Sequence, residues 1–443
     1  MQSQIAIPLS DMEKLLWFRH SSQHPNLIFC RLSCSGSVDR DKFEEAVEIA
    51  FSRHPMMRSK LDTQSWQWVR TDIQPVEWHD REFDPDNPPG RPIELTETNG
   101  LRIDVCDAGK GRVEIIFQVH HATADAVGSL IAAVDLLLIY QNLCTGQPAS
   151  HKLRPLDDQQ LLKRNKIGMF SKGWIRRLPA QWIPFYGLLK FKLGRIARLT
   201  DLPDDSLPLP ASFPSCMARK LDVDLYARLK NLALQSGATV NEWILAAVFQ
   251  SVGEWQARHG FNKQRNKLRV LIPINRREFP DRRCSACNKI SLIQLDRKVE
   301  ELNDTRNLIW GINYELGIIR KFKFDRFPNL VLRLMNCVPG LISRSAASRK
   351  NRATTYFTNL GSALDRVKLP KVGGKLQSGD LIVDQIQYIA PHYKDMPVSF
   401  VFYGYNGQFE ITMHYDSRVL SKELAAELAD GLIETINHMA SQQ

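Results

Sequence analysis

The nine residues His120-His121-Ala122-Thr123-Ala124-Asp125-Ala126-Val127-Gly128 gather two imidazoles, a carboxylate and a glycine with the spacing HHxxxDxxG. Histidine is the side chain whose ordinary pKa lies nearest neutrality. It can take a proton from an attacking hydroxyl or amine and return it to a leaving thiol. That is the proton traffic of acyl transfer from a thioester. The same residue types also serve as packing groups and helix starts, so the pattern needs the right surroundings to carry this meaning.

Those surroundings can be read from periodicity. Val113, Ile115, Phe117 and Val119 alternate with Glu114, Ile116, Gln118 and His120, the period of two expected of a strand. Val127, Leu130, Ile131, Val134, Leu137 and Leu138 then recur at helical spacing, and Tyr140 and Leu143 extend the run. Continued alternation puts His121 on the face of Val113–Val119 and His120 on the other. His121 is therefore the expected base and His120 the expected packing residue. Asp125 opens the helix, where free N–H groups and the helix dipole favour a carboxylate. It could equally pair with an arginine to brace the loop. Gly128 suits close backbone packing in the first turn.

With 443 residues, 43% hydrophobic and 24% charged, the chain reads as a globular protein of two domains. Met1 to Leu15 lacks a basic segment followed by an apolar run, so no secretory signal is expected. No uninterrupted apolar stretch is long enough to span a bilayer. Cys30 and Cys34 share one face of a predicted strand about 13 Å apart at ~3.3 Å per residue, too far for a bridge. Cys284 and Cys287 form a lone CxxC with no second ligand pair nearby for zinc. The eight cysteines are read as reduced thiols, with the CxxC as the one exception weighed, and a cytoplasmic location, with membrane association as an option, is expected.

The net charge of +11 is partly local. Between Gln159 and Thr200 stand Lys163, Arg164, Lys166, Lys172, Arg176, Arg177, Lys190, Lys192, Arg195 and Arg198, with no acidic residue among them. Phe170, Trp174, Trp182, Phe185, Tyr186 and Phe191 are interleaved. Such a segment can present a solvated face while its aromatics fill a core, or contact an anionic membrane surface or lipid substrate. Nucleic acid is not an expected partner, since no nucleic-acid motif accompanies the charge.

Residues 1–150 read as one α/β unit, 151–212 as a basic, proline-punctuated crossover linker, and 213–443 as a second α/β unit. Predicted strands include Leu27–Cys34, Leu268–Ile274 (interrupted by Arg269), Thr354–Thr358, Leu381–Tyr388, Val398–Tyr403 and Phe409–His414. Predicted helices follow Asp39 and Thr239, and a last one runs from Ser421 to Met439.

These motifs, in this order, resemble the CoA-dependent acyltransferase superfamily. That group includes chloramphenicol acetyltransferase, condensation domains of nonribosomal peptide synthetases, and wax ester synthase/diacylglycerol acyltransferases. Pro8-Leu9-Ser10 and Arg53-His54-Pro55-Met56-Met57-Arg58 are similar to condensation-type segments. Gly237-Ala238-Thr239-Val240-Asn241-Glu242, Pro273-Ile274-Asn275-Arg276-Arg277, Asn359-Leu360-Gly361 and Tyr405-Asn406-Gly407 resemble elements of the wax-synthase-like branch. The DFGWG of plant members is missing, and no carrier or adenylation domain is read within these 443 residues.

The resemblance implies an α/β (α+β) fold of two chloramphenicol-acetyltransferase-like domains, each a mixed sheet with helices, and a tunnel at their interface. It implies His121 as general base and Asp125 as a structural residue paired with Arg277, or failing that Arg276. Thr358 or Asn359 is placed near the oxyanion, where preorganised donors are needed; an ordinary turn is the competing reading of Asn359-Leu360-Gly361. No metal and no bound cofactor is implied, because acyl-CoA or an acyl carrier protein enters as co-substrate. The expected reaction is transfer from acyl-CoA to a hydroxyl of a small or lipid-like acceptor. The alternatives are a free-standing condensation-type enzyme with a carrier-bound donor and an amine acceptor, or an inactive binding protein of the same fold.

Overall fold

A computed structural model describes residues 6–166, 196–260, 267–348 and 352–441. Alternating apolar runs build two mixed sheets. The first has seven strands in the order Lys371–Val372, Lys375–Ser378, Leu381–Ile389, Leu27–Ser35, Arg112–His120, Leu101–Asp107 and Glu77–His79. The second has six, in the order Ile290–Lys298, Lys267–Asn275, Thr355–Gly361, Val398–Tyr405, Gln408–Tyr415 and Cys216–Leu221. Thr355–Gly361 runs parallel to both its neighbours, while the other pairs of that sheet are antiparallel.

The expected boundary at 213 does not divide the sheets. Leu381–Ile389 leaves the C-terminal part of the chain and pairs antiparallel with Leu27–Ser35 in the N-terminal sheet, with Tyr388 opposite Cys30. Its apolar face, Leu381, Val383, Ile386 and Tyr388, completes the core formed by Cys30, Leu32, Val113, Ile115 and Phe117. Burial of that face outweighs proximity in sequence.

Local chemistry explains the element ends. Ser10 and Glu13 form a capping box at Asp11–Phe18, and Asp39 caps Arg40–Ser52. Arg269, the break in its apolar strand, is buried because Asp296 accepts hydrogen bonds from its Nε and Nη2 at 2.6 and 2.8 Å. The helix Ala126–Cys144 matches the periodic run from Val127 to Leu143 to within one residue at each end. By length and composition it could cross a membrane, yet two thirds of it is buried inside the protein. Its Asp135 is held there by Arg53 and His54, both at 3.2 Å.

Of the ten basic residues between Gln159 and Thr200, only Lys163, Arg164, Lys166 and Arg198 fall within the described residues. Arg164 is no part of a solvated face. It is 4% exposed, and its guanidinium donates to Glu13 at 2.7 and 2.8 Å and to the carbonyl of Pro8. The remaining six, and the aromatic residues interleaved with them, lie outside the described residues.

Candidate active site

Strand Arg112–His120 pairs with Leu27–Ser35, His120 opposite Leu27, and the chain turns immediately afterwards into the helix that begins at Ala126. The amide of His121 donates to the carbonyl of Asn26 at 2.9 Å, extending the ladder by one step. This fixes the two imidazoles on opposite sides. His120 is wholly buried beside His20, with ring centroids 4.6 Å apart, and its Nδ1 accepts the amide of Ala122. Burial and the neighbouring imidazoles hold His120 neutral, its pKa far below the ordinary histidine value. It is not among the residues that line the cavity beside His121.

His121 faces a cavity of about 70 Å³ at the seam between the two sheets. Apolar walls come from Ile28, Val127, Ile290, Ile389 and Val401, and polar groups from Asn275, Tyr356, Thr358 and Tyr388. Nδ1 of His121 is buried on the protein side without a well-formed hydrogen bond, which leaves Nε2 to meet a reactant. Burial lowers the pKa of His121; the carbonyls of His121 and Ala124, Asp125 and Asn288 only partly offset it. The ring is thus an uncharged acceptor at neutral pH.

Asp125 does both things expected of it. One carboxylate oxygen accepts the amide of Gly128 at 2.8 Å and caps the helix. The other accepts Nη1 of Arg277 at 2.9 Å and the amide of Lys289 at 2.7 Å. Every strong donor around it is therefore used in bracing the loop. Arg276 points elsewhere, donating to the carbonyl of Lys166. Gly128 sits against Cys287: a methyl group there would stand 2.7 Å from the Cys287 oxygen and 3.0 Å from its nitrogen.

Thr358 and Asn359 both line the cavity. The Asn359 amide is committed, donating to Asn241 and accepting the amide of Gly361 at a strand irregularity. Asn359-Leu360-Gly361 is thus a bulged strand end rather than an ordinary turn. The Thr358 hydroxyl meets no partner among the described residues, so it is the freer donor.

One segment escaped sequence reasoning altogether. Asn288 donates from Nδ2 to the carbonyls of both His121 and Ala122, at 2.7 and 2.8 Å. The Cys287 carbonyl accepts Nη2 of Arg277 at 2.7 Å. Residues 287–289 therefore clamp the histidine loop from the chain that leads into strand Ile290–Lys298 of the second sheet. Only the CxxC marked this stretch in the sequence, and it marked a different chemistry.

Residues 3–155 match the family model of the condensation domain. No curated protein matches the chain in sequence. Among solved structures, the chain is similar to the first condensation domain of the calcium-dependent antibiotic synthetase (TM-score 0.72, 12% identity, covering 99% of this chain and 97% of that one). It is also similar to SgcC5 protein from Streptomyces globisporus (TM-score 0.69, 16% identity, 98% and 99% covered). A third is the starter condensation domain of rhizomide synthetase, solved as a mutant in complex with C8-CoA (TM-score 0.69, 14% identity, 98% and 95% covered). In the sequence of residues 3–155 and in its fold from end to end, the chain resembles the condensation-domain proteins of the CoA-dependent acyltransferase superfamily.

Proposed function

We propose that the protein is an acyltransferase that moves an acyl group from an acyl-CoA thioester to a hydroxyl, with His121 as general base. In this reading the cavity is the midpoint of a tunnel along the seam. Nε2 of His121 takes the hydroxyl proton as the acceptor oxygen attacks the thioester carbonyl. The carbonyl electrons move onto oxygen, where the Thr358 hydroxyl donates a hydrogen bond. Collapse breaks the carbon–sulfur bond, and the imidazolium returns its proton to the leaving thiolate.

One observation carries the choice of a hydroxyl. Among the described residues, the one carboxylate lining the cavity is Asp125, and it is already occupied by Gly128, Arg277 and Lys289. An amine arrives at neutral pH as an ammonium and would find, among the described residues, apolar walls and neutral polar groups but no free negative charge to hold it. A neutral alcohol meets no such penalty. The donor assignment is supported by the C8-CoA carried by a structural neighbour of the same fold. The family match favours the second reading, a carrier-bound donor with an amine acceptor, because condensation domains give the matching model.

The test is a panel of acyl-CoA thioesters crossed with alcohols and amines, scored by free thiol and by product mass. The proposal expects thiol release and an ester. Turnover only with acyl-loaded carrier protein and an amine would replace it with the second reading. Absence of any turnover would leave a binding protein of this fold.

A further inference from the structure

The proposed reaction leaves one close pair of nucleophiles unused. Cys284 and Cys287 are free thiols whose sulfurs stand 3.6 Å apart in one turn. A disulfide requires about 2.05 Å, so closure needs a movement of roughly 1.5 Å. The two ends differ in their freedom to make it. Cys287 is fixed by Arg277 and by the amide of Asp125 at its carbonyl, and by Gly128 against its backbone. Cys284 follows the one-turn helix Phe279–Arg283, in which no residue is buried. Cys284 is tethered by one backbone hydrogen bond, its amide to the Asp281 carbonyl at 2.9 Å, and is the less constrained of the two.

Their environments also divide the labour. A hydrogen bond with Cys287, together with Arg277 and Lys289, lowers the Cys284 pKa. The same hydrogen bond and burial push Cys287 well up. One sulfur is suited to attack an oxidant and the other to resolve the product. Both are buried, 2% and 0% exposed, in a cluster that includes Leu161 and Leu332, so a small oxidant is required. The residues that follow hold the site: the Ala286 amide binds His54, Asn288 binds the loop carbonyls, and the Lys289 amide binds Asp125.

We propose that Cys284 and Cys287 form a reversible oxidation site, at which a peroxide closes a disulfide that staples the clamp over the histidine loop. The Cys284 sulfur attacks one peroxide oxygen, the O–O bond breaks, and water leaves after protonation. The Cys287 sulfur then attacks the resulting sulfenic acid, forming the S–S bond and releasing the second water. Two thiols lose two electrons and one peroxide gains them. A dithiol reductant reverses the change.

The experiment uses the full chain and no turnover measurement, so its outcome is separate from that of the acyl-transfer reading. Reduced, desalted protein is treated with hydrogen peroxide, denatured, alkylated and digested. The peptide holding both cysteines is expected to be unalkylated and about 2 Da lighter, and to be restored by dithiothreitol. Amide hydrogen exchange at residues 285–289 and 121–125 should slow at least threefold in the oxidised protein. Cys287→Ser should leave a sulfenic acid at Cys284 that dimedone traps; Cys284→Ser should give neither adduct nor cross-link. Full alkylation of both cysteines after peroxide would overturn the proposal. So would irreversible sulfonic acid at Cys284 without a cross-link, or a cross-link that leaves exchange in the clamp unchanged.

Discussion

Removing the guanidinium that braces the histidine loop is the most informative single perturbation of this protein. Arg277→Met keeps most of the side-chain stem and deletes hydrogen bonds to Asp125, to the Cys287 carbonyl and to Asn275. Asp125 is 2% exposed, so its charge is left in a dry environment. Breaking a buried ion pair from one side destabilises by about 3–5 kcal/mol. Two backbone donors, Gly128 and Lys289, still reach the carboxylate and hold the expected loss near the lower end, about 3 kcal/mol. Asp125→Asn removes the charge and keeps an acceptor, so adding it to Arg277→Met should recover at least about 1 kcal/mol of that loss. Urea unfolding of the four proteins, followed by circular dichroism, measures the cycle. Losses that simply add, or an Arg277→Met loss under about 1 kcal/mol, would show that the pair does not brace the loop.

His121→Ala should reduce thiol release from acyl-CoA by about 10²–10⁴-fold, and a smaller drop than tenfold would remove its role as base. Because burial lowers the His121 pKa and the base must be uncharged, activity should rise with pH through a value below 6.5 and be flat at neutrality. An inflection above 6.5 in the kcat/KM profile contradicts that environment. Thr358→Val should lower kcat by about 10²-fold with little change in KM, whereas equal effects on both would mean that the hydroxyl binds substrate rather than the oxyanion. Gly128→Ala should destabilise by about 1–3 kcal/mol, because the added methyl meets the Cys287 backbone at 2.7 Å. A thermal midpoint unchanged from the parent would contradict that packing.

The parts of this site that were legible in the sequence are those governed by local rules. Strand parity separates His121 from His120, and capping chemistry places Asp125 at the start of its helix. Asp39 and Thr239 mark helix starts for the same reason. The pairing of Arg277 with Asp125 spans the two sheets and came from the resemblance, since nothing local to either residue encodes it. Asn288 was invisible because its role depends on carbonyls 166 and 167 positions away. Arg164 was misread because its partner, Glu13, lies at the far end of the N-terminal unit. The exchange of Leu381–Ile389 into the first sheet was hidden in the same way: a buried strand in the second half reads identically whichever sheet it joins.

That exchanged strand also governs the order in which the molecule can be completed. Leu27–Ser35 leaves the ribosome well before its neighbour, which is synthesised roughly 350 residues later. Until it arrives, one side of a hydrophobic ribbon stays open to other nascent chains. A fragment ending before Leu381 would keep that edge permanently bare, so expressing the first half alone should yield aggregates rather than a working lobe.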